Sequence, residues 1–506
     1  MEATGLDRET ISIAPGALSR LGFSGTPPGG SFGPSGGFQG VDMSQKFDLV
    51  VIGGGPAGYV AAIKAAQYGK SVAVVEMERA GGTCLNWGCI PTKSLLNQAE
   101  FAVHLQHAED YGFTVGNVSF DFAKVIAKSR KAADKMAMGI DHLFKKNKIA
   151  SIKGLATILR PGLVEVSYQD GKPAEQLEAQ NIVIATGAKP RTLPGLVLDR
   201  STVITSREAL ALTVAPKSIL IVGAGAIGVE FAYFYNAFGT KVTLVEFAPK
   251  ILPIEDDESS ALLLRKYESY GIEVLTGTKV TALSVTDSGA TATFEGKSPK
   301  GGNTFEKVLV AVGVEAKLDG LLGPDIKLDL ERGFVRTNAD YSTSLPGIYG
   351  IGDVIGPPWL AHEASWEAGQ CIDGIYGGIA PHKGHIVPGC TYCQPQVASV
   401  GATERKLKEE GVAYKVGKFP FIANGKAVGT GDTDGFVKLL YGSANHELLG
   451  AHVVGAEATE IIAELNLAMN MEATVEDILA TMHAHPTLSE AIADASGVAF
   501  GRAVHM

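Results

Sequence analysis

The chain has 506 residues, 45% hydrophobic and 19% charged, and 44 Lys+Arg against 54 Asp+Glu give a formal net charge of −10. That length accommodates three or four domains with ample cores, and an acidic balance with pI ≈ 5.6 argues against a nucleic-acid-binding surface. Five cysteines are too few for a disulfide scaffold, which suits a reducing cytoplasm.

Residues 1–44 are expected to form a flexible extension. Glycine, proline and serine dominate 25–40 (GTPPGGSFGPSGGFQG), a composition that buries too little surface to offset ordering entropy. Met43 looks like the natural start of the folded part. Glu2, Asp7 and Glu9 set the segment apart from acid-poor transit peptides, and an appended tail fits equally well.

The run 47–52 (FDLVVI) reads as a buried parallel strand. Gly53-Gly54-Gly55-Pro56-Ala57-Gly58 follows at once, then a helical stretch to Tyr68 and a strand over 71–75 ending at Glu76. The spaced glycines Gly53, Gly55 and Gly58 have separate tasks in such a loop: a tight turn, close backbone approach to a pyrophosphate, and close packing of helix on strand. Phosphates then sit at the helix N-terminus, where unpaired N–H groups and the dipole favour anions. Glu76 is placed to accept hydrogen bonds from an adenosine ribose.

Shortly downstream comes Gly81-Gly82-Thr83-Cys84-Leu85-Asn86-Trp87-Gly88-Cys89-Ile90-Pro91-Thr92-Lys93. Five regular helical steps of about 1.5 Å would separate the two Cα atoms by more than roughly 7 Å, whereas a disulfide needs about 4.4–6.8 Å. Cys84 and Cys89 can pair only if the segment between them is irregular, which Gly88 permits. Pro91 then suits the opening turn of a regular helix. Three readings stand here: a labile redox disulfide, half of a metal site, or two reduced core thiols.

The nucleotide unit recurs 170 residues later, with Gly53 matched by Gly223 and Glu76 by Glu246. A strand over 219–222 leads into Gly223, Gly225 and Gly228, a helix to Phe238, and a strand over 241–246. One such loop is weak evidence; two with matched strand, helix and acid are strong. The long apolar run 218–239 fits this unit better than a membrane span, because it carries Glu230 and its glycines. Glu246 would repel a 2′-phosphate, so NAD is favoured over NADP, with Lys250 the one nearby cation that opposes this. Two units beside a thiol pair imply division of labour: the thiols need a tightly held two-electron carrier that also exchanges hydride. The first unit is therefore assigned FAD and the second NAD.

With Ala185-Thr186-Gly187, Gly347-Ile348-Tyr349-Gly350-Ile351-Gly352-Asp353 and His483-Ala484-His485-Pro486-Thr487-Leu488-Ser489-Glu490, the chain resembles the pyridine nucleotide–disulfide oxidoreductases from about residue 46 to its end. The resemblance implies an α/β fold with two Rossmann-like domains, binding FAD and NAD, plus a C-terminal α+β dimerisation domain. Expected boundaries are FAD-binding 45–190, NAD-binding 191–317, a return to the FAD domain over 318–387, and the interface domain 388–506. Strands are expected in the last over 397–401, 436–441 and 448–454, and helices over 458–471 and 489–495.

The same resemblance makes Cys84 the interchange thiol and Cys89 the thiol next to the flavin, with Lys93 by the flavin ring and paired to Glu230. A buried lysine there needs such a countercharge. Asp353 would bind the ribityl chain, where an acceptor-only group suits hydroxyls. Gly154, Ala156, Thr186, Gly187 and Ala361 are implied FAD contacts, and Val280 and Gly313 further cofactor-binding positions. His485 is the implied base, a group that titrates near neutrality, with Glu490 holding its ring. It would act on the cysteines of the other subunit of an obligate homodimer.

The implied activity is oxidation of a protein-bound dihydrolipoyl group to its disulfide, with NAD+ as acceptor. Implied partners are the lipoyl domains and acyltransferase core of a 2-oxoacid dehydrogenase complex, or a glycine-cleavage protein; no nucleic acid, membrane or metal is expected. A glutathione-reductase-like enzyme would favour NADPH and an aromatic lid where this chain has Ala226. A mercuric-reductase-like enzyme would carry a second cysteine pair in the tail 501–506. Cys84, Cys89, His485 and Glu490 together speak against a non-catalytic scaffold. His362 and His483 are given no catalytic step, Cys371 is read as structural, and Cys390 and Cys393 as ordinary buried cysteines without partners at zinc spacing. Trp87 stands where a smaller residue is common, and Val314-Glu315-Ala316 departs from the family's usual continuation at the nicotinamide rim.

Overall fold

The computed structural model describes residues 45–382 and 385–505; the expected N-terminal extension lies outside them. Strand β1 (Gln45–Ile52) starts exposed and ends fully buried in Val50, Val51 and Ile52, as a strand covered on both faces requires. Helix α1 (Pro56–Gln67) opens with Pro56 in its first turn, where the missing N–H costs nothing. Strand β2 (Val72–Glu76) returns parallel to β1, with Leu49 opposite Val72 and Ile52 opposite Val75. Then come α2 (Gly82–Trp87), α3 (Cys89–Gln106), α4 (Phe122–Lys146), β3 (Ala150–Lys153), β4 (Leu155–Arg160), β5 (Leu163–Ser167) and β6 (Glu175–Ile184).

These strands form one sheet in the order β3-β2-β1-β6-β5-β4, and the strand Ile348–Gly350 joins it parallel to β6. The chain thus leaves this sheet after β6 and returns much later. Register sets Ile184 beside both Ile52 and Gly350. The Gly53 loop, Thr186 and Asp353 therefore sit just past the carboxyl ends of three adjacent parallel strands, where open α/β sheets bind ligands.

A second, five-stranded sheet runs Glu273–Thr276, Lys241–Glu246, Ser218–Val222, Lys307–Val310, Val203–Ile204, all parallel. Its helix Ala226–Ala237 buries nine of its twelve residues, because it is packed on α3 as well as on its own strands. Phe122 at the start of α4 meets the rings of Phe234, Tyr235 and Phe238. A helix covered on every side is apolar all round, which accounts for the membrane-like run in the sequence. Among the described residues no helix is long and apolar enough to cross a membrane.

The third sheet is antiparallel: Gly389–Thr391, Gln396–Gly401, Leu448–Gly455, Phe436–Gly442, Tyr414–Pro420. The three strands expected in this region each run one residue longer than the sequence suggests. Helix Ala458–Asn470 ends one residue before its expected limit, with Met471 as its C-cap, whereas Glu490–Ala499 continues past residue 495. Ser496 is a weak helix former, but its hydroxyl donates to the Ile492 carbonyl and pairs with Tyr441, which satisfies it inside the helix. Lys438, 1% exposed, ties this sheet to the helix Asp257–Ser269 through Asp256 (3.0 Å), Glu258 (2.9 Å) and Glu404 (2.6 Å).

Candidate active site

The two glycine loops are near-copies in three dimensions. Gly53 has φ +104° and Gly223 φ +102°; a Cβ at either would lie 2.2 or 2.3 Å from a carbonyl oxygen, of Ala185 or Ala311. A Cβ on Gly58 or Gly228 would stand 1.9 or 1.8 Å from the oxygen of Gly53 or Gly223, so the helix approaches the strand only because nothing is there. Each following helix lacks a side-chain cap, which leaves its first N–H groups free for a pyrophosphate.

The two glutamates repeat the same contacts. Glu76 accepts the Gly54 N–H at 2.7 Å and the Glu78 N–H at 2.8 Å. Glu246 accepts Ala224 at 2.7 Å and Ala248 at 2.8 Å. An ionised carboxylate has about four acceptor sites, so each keeps capacity for ribose hydroxyls. Lys250 donates to Asp257 and to the Glu255 carbonyl, which commits the one cation that could have favoured a 2′-phosphate.

The first cradle also offers groups that fit a flavin nucleotide. Thr186 Oγ1 is buried without a partner. Burial pushes the Asp353 carboxyl up to about 6, and hydroxyl donors on a ribityl chain would relieve that desolvation. Ala361 opens a twelve-residue helix whose N-cap, Leu360, has no side-chain bond to offer. Gly154 sits between β3 and β4 with its N–H on the Glu76 carbonyl at 3.0 Å, next to Ala156, which is 4% exposed. Gly187 and Gly313 adopt φ +70° and +100° with open space around them. The Val280 side chain belongs to the core of the second sheet, so only its backbone can face a cofactor.

Both cysteines are thiols, at least half-buried, and hydrogen-bonded to each other. The irregularity between them is a single residue: α2 ends at Trp87, Gly88 takes φ −142°, ψ −113°, and α3 begins at Cys89. A Cβ on Gly88 would lie 3.2 Å from the Thr83 carbonyl oxygen, a tight contact that glycine avoids. Asn86 fastens α2 by donating to the carbonyls of Ala80 and Gly82, each at 3.0 Å.

The two sulfurs differ electrically. The hydrogen bond from Cys84 favours a thiolate at Cys89 and burial opposes it, while the Lys93 ammonium adds to the pull; the net is a lowered Cys89. Cys84, which keeps the proton of that bond and is itself buried, is pushed well up. Lys93 Nζ donates to both Glu230 oxygens, at 2.9 and 3.0 Å, and Glu230 is 4% exposed.

His485 Nδ1 donates to Glu490 Oε1 at 2.9 Å, and Glu490 Oε2 takes the Thr487 N–H at 2.8 Å. Burial raises the Glu490 carboxyl, but the Thr487 N–H and His485 outweigh it and hold the group below its ordinary value. The His485 side chain is 77% exposed, and neither cysteine is among its hydrogen-bond partners in the described residues. His483 is buried instead, bonded to Glu464 at 2.8 Å, and His362 bonds the Pro388 carbonyl at 2.9 Å.

Two contributors escaped the sequence reading, and a third, Trp87, stood out there only as a departure. Tyr392 gives its backbone N–H to Glu230. Asn424, 3% exposed, caps the helix Gly425–Thr430 and also donates to the Thr487 carbonyl at 3.0 Å, which fixes the loop that carries His485. Trp87 lies between two guanidinium groups, Arg207 at 4.3 Å and Arg130 at 4.7 Å from its ring. The bulky residue thus ties the end of α2 to the segments that carry Arg130 and Arg207. Only Trp87 carried a signal in the sequence, as a departure from the common pattern. Val314–Ala316 pairs antiparallel with Ala188–Pro190, so this departure is a piece of β-ladder. Among the described residues no group of three or more His, Cys, Asp or Glu side chains is arranged to hold a metal.

Residues 47–368 match the family model described as pyridine nucleotide-disulphide oxidoreductase, and residues 387–496 match its dimerisation domain. The chain is 44% identical to the dihydrolipoyl dehydrogenase of Zymomonas mobilis over 92% of its own length and 100% of that protein. It is 41% identical to the Bacillus subtilis dihydrolipoyl dehydrogenase over 92% of its length and 100% of the relative. Among solved structures, LpdA of Mycobacterium tuberculosis superposes with a TM-score of 0.81 at 25% identity, covering 89% of this chain and 99% of that one.

Proposed function

We propose that this chain, which belongs to the pyridine nucleotide–disulphide oxidoreductases, oxidises a protein-bound dihydrolipoyl group to its disulfide and passes the electrons to NAD+. It is a flavoprotein disulfide oxidoreductase using FAD and NAD. The observation that carries the substrate assignment is the coincidence of two facts. A polarised Cys84–Cys89 pair and a His485–Glu490 pair occur in a chain 44% identical, over 92% of its length, to a dihydrolipoyl dehydrogenase.

In the catalytic cycle, His485 takes the proton of a substrate thiol, and Glu490 steadies the imidazolium that results. The substrate sulfur attacks Cys84 in the Cys84–Cys89 disulfide, a mixed disulfide forms at Cys84, and Cys89 leaves as a thiolate. Stabilisation of negative charge at Cys89 by Lys93 makes it the better leaving group. The second substrate sulfur then displaces Cys84, closing the lipoyl ring and leaving the enzyme as a dithiol. Bound FAD supplies the two-electron relay from that dithiol to NAD+. The FAD would be held by Gly53, Gly55, Gly58, Glu76, Thr186, Asp353 and Ala361, and the NAD by Gly223, Gly225, Gly228 and Glu246.

A homodimer accounts for the exposure of His485, which would serve the cysteine pair of the opposite subunit. The partners would be lipoyl domains on the acyltransferase core of a 2-oxoacid dehydrogenase complex or a glycine-cleavage protein, in a reducing cytoplasm. Domain limits of 45–190, 191–317, 318–387 and 388–506 accompany this reading. Assaying the pure protein with dihydrolipoamide and NAD+, with oxidised glutathione and NADPH, and with mercuric ion and NADPH tests it. Turnover with the first pair is expected, and turnover only with either of the others would overturn the assignment.

A further inference from the structure

The segment Cys390-Thr391-Tyr392-Cys393 has no part in the thiol chemistry above, yet it runs directly beside the Lys93–Glu230 pair. Its two cysteines do not converge. Cys390 packs on the core of the third sheet, whereas Cys393 is fully buried in the cluster around the second sheet and the helix Ala226–Ala237. Between them Tyr392 is held through its backbone. Its N–H donates at 2.9 Å to Glu230 Oε1, the oxygen that also takes Lys93 Nζ at 2.9 Å. Cys393 Sγ next door is anchored on the Pro395 carbonyl at 3.3 Å. The tyrosine ring carries the Lys93 ammonium on its face, Nζ lying 4.4 Å from the centroid.

We propose that Tyr392 is a positioning residue for the thiol chemistry: its ring face confines the Lys93 ammonium against Glu230 and so holds that positive charge at the Cys89 sulfur. A lysine is a compact charge on a flexible four-carbon stem, and 31% of this side chain is exposed. Glu230 alone holds the ammonium from one direction. A ring face within about 6 Å attracts it from a second direction through the quadrupole, which Tyr and Phe share and an aliphatic residue lacks. The CxxC spacing thereby gains a purpose other than metal or redox chemistry: its two cysteines seat the segment on two cores, one on either side of the tyrosine.

The inference deepens the reading of the same site and rests on Cys89 as the thiol that receives negative charge. The test uses flavin-loaded enzyme carrying Cys84→Ser, so that a hydroxyl still donates to Cys89. The pH dependence of Cys89 alkylation by iodoacetamide is followed by mass spectrometry. Tyr392→Leu is expected to raise the midpoint by about half a pH unit, while Tyr392→Phe leaves it within about 0.2 unit. In a Lys93→Met background Tyr392→Leu should move nothing further, as a pairwise interaction requires. An unmoved midpoint in Tyr392→Leu, an equal shift in Tyr392→Phe, or a shift that survives loss of Lys93 would each overturn the proposal. Should the leucine variant lose its flavin, Tyr392→Met fills similar space without a ring and is read the same way. A wild-type enzyme that fails to oxidise dihydrolipoamide would sink the functional reading and leave these midpoints standing.

Discussion

Glu230 and Lys93 should move Cys89 in opposite directions when each is removed. Lys93 lowers the Cys89 thiol and Glu230 raises it, with Lys93 the stronger of the two. Glu230→Gln keeps the shape but removes the negative charge, so the ammonium acts on the sulfur unopposed and the thiol becomes more acidic. Lys93→Met leaves a buried carboxylate facing the sulfur, and the thiol becomes less acidic. An opposite charge within about 4–6 Å is worth about 1–3 pKa units. The expected shifts are therefore about one unit up in Lys93→Met and about half a unit down in Glu230→Gln. One unit is about 1.4 kcal/mol, or about 30 mV for a two-electron thiol–disulfide couple. Stabilising the thiolate favours the reduced state, so the couple should become about 15 mV more positive in Glu230→Gln and about 30 mV more negative in Lys93→Met. Redox titration against glutathione buffers reads the potentials, and iodoacetamide alkylation in a Cys84→Ser background reads the thiol. Urea unfolding of Glu230→Gln should show a loss of about 1–3 kcal/mol. That is less than the about 3–5 kcal/mol of a fully buried broken pair, because 31% of Lys93 meets solvent. Shifts of the same sign in the two variants would refute the electrostatic account, whatever their size.

Cys89→Ser should retain FAD, seen by its visible absorbance, and lose dihydrolipoamide oxidation altogether; turnover near the wild-type rate would contradict the thiol relay. His485→Gln should slow reduction by dihydrolipoamide at least about a hundredfold, the low end for a general base, and leave the flavin-to-NAD+ step unchanged in rapid-mixing experiments. An equal loss in both steps would place His485 elsewhere in the cycle. Lys438→Met should cost about 3–5 kcal/mol at pH 8, since Asp256, Glu258 and Glu404 lose a cation that is 1% exposed. In the wild type the lysines hold Glu258 below its ordinary value, and Lys438, Tyr414 and Lys408 hold Glu404 at about 2. That stability is present above the ordinary carboxylate range and is lost as pH falls toward 2. The penalty of the mutation should accordingly shrink in denaturation at pH 4, and a penalty independent of pH would count against the network.

Much of the architecture was legible because it rests on local, repeated rules. The runs 49–52 and 219–222 are apolar without alternation, as strands buried on both faces must be. Gly53, Gly58, Gly223 and Gly228 each answer a distance that a Cβ could not survive. What the sequence could not display was contact across elements. Tyr392 and Asn424 act through a ring face, a backbone N–H and a carbonyl taken from segments far away in the chain, and neither residue type in its local context announces that. The extent of Glu490–Ala499 was likewise hidden, because the Tyr441 hydroxyl that satisfies Ser496 comes from another strand.

The placement of Glu230 shows how the two nucleotide units become one machine. It follows Gly228 by two residues, on the first turns of the helix whose free N-terminus faces the second cradle. The same helix is covered on the other side by α3, the helix that opens at Cys89 and carries Lys93. In the proposed cycle one helix would thus present its N–H groups to the nicotinamide dinucleotide and a carboxylate to the ammonium beside the thiol. A helix in this position cannot be amphipathic in the ordinary way: nine of twelve residues are buried, and the one acid among them is tolerated because Lys93 and the Tyr392 N–H satisfy it. Substitutions that loosen the packing of Phe231, Phe234 or Tyr235 should therefore register at Cys89 before they register in global stability, since a small tilt of this helix changes the Lys93–Glu230 separation. Phe234→Leu, read by the Cys89 alkylation midpoint alongside urea unfolding, tests this coupling, and a loss of stability with an unmoved midpoint would show that the helix transmits nothing.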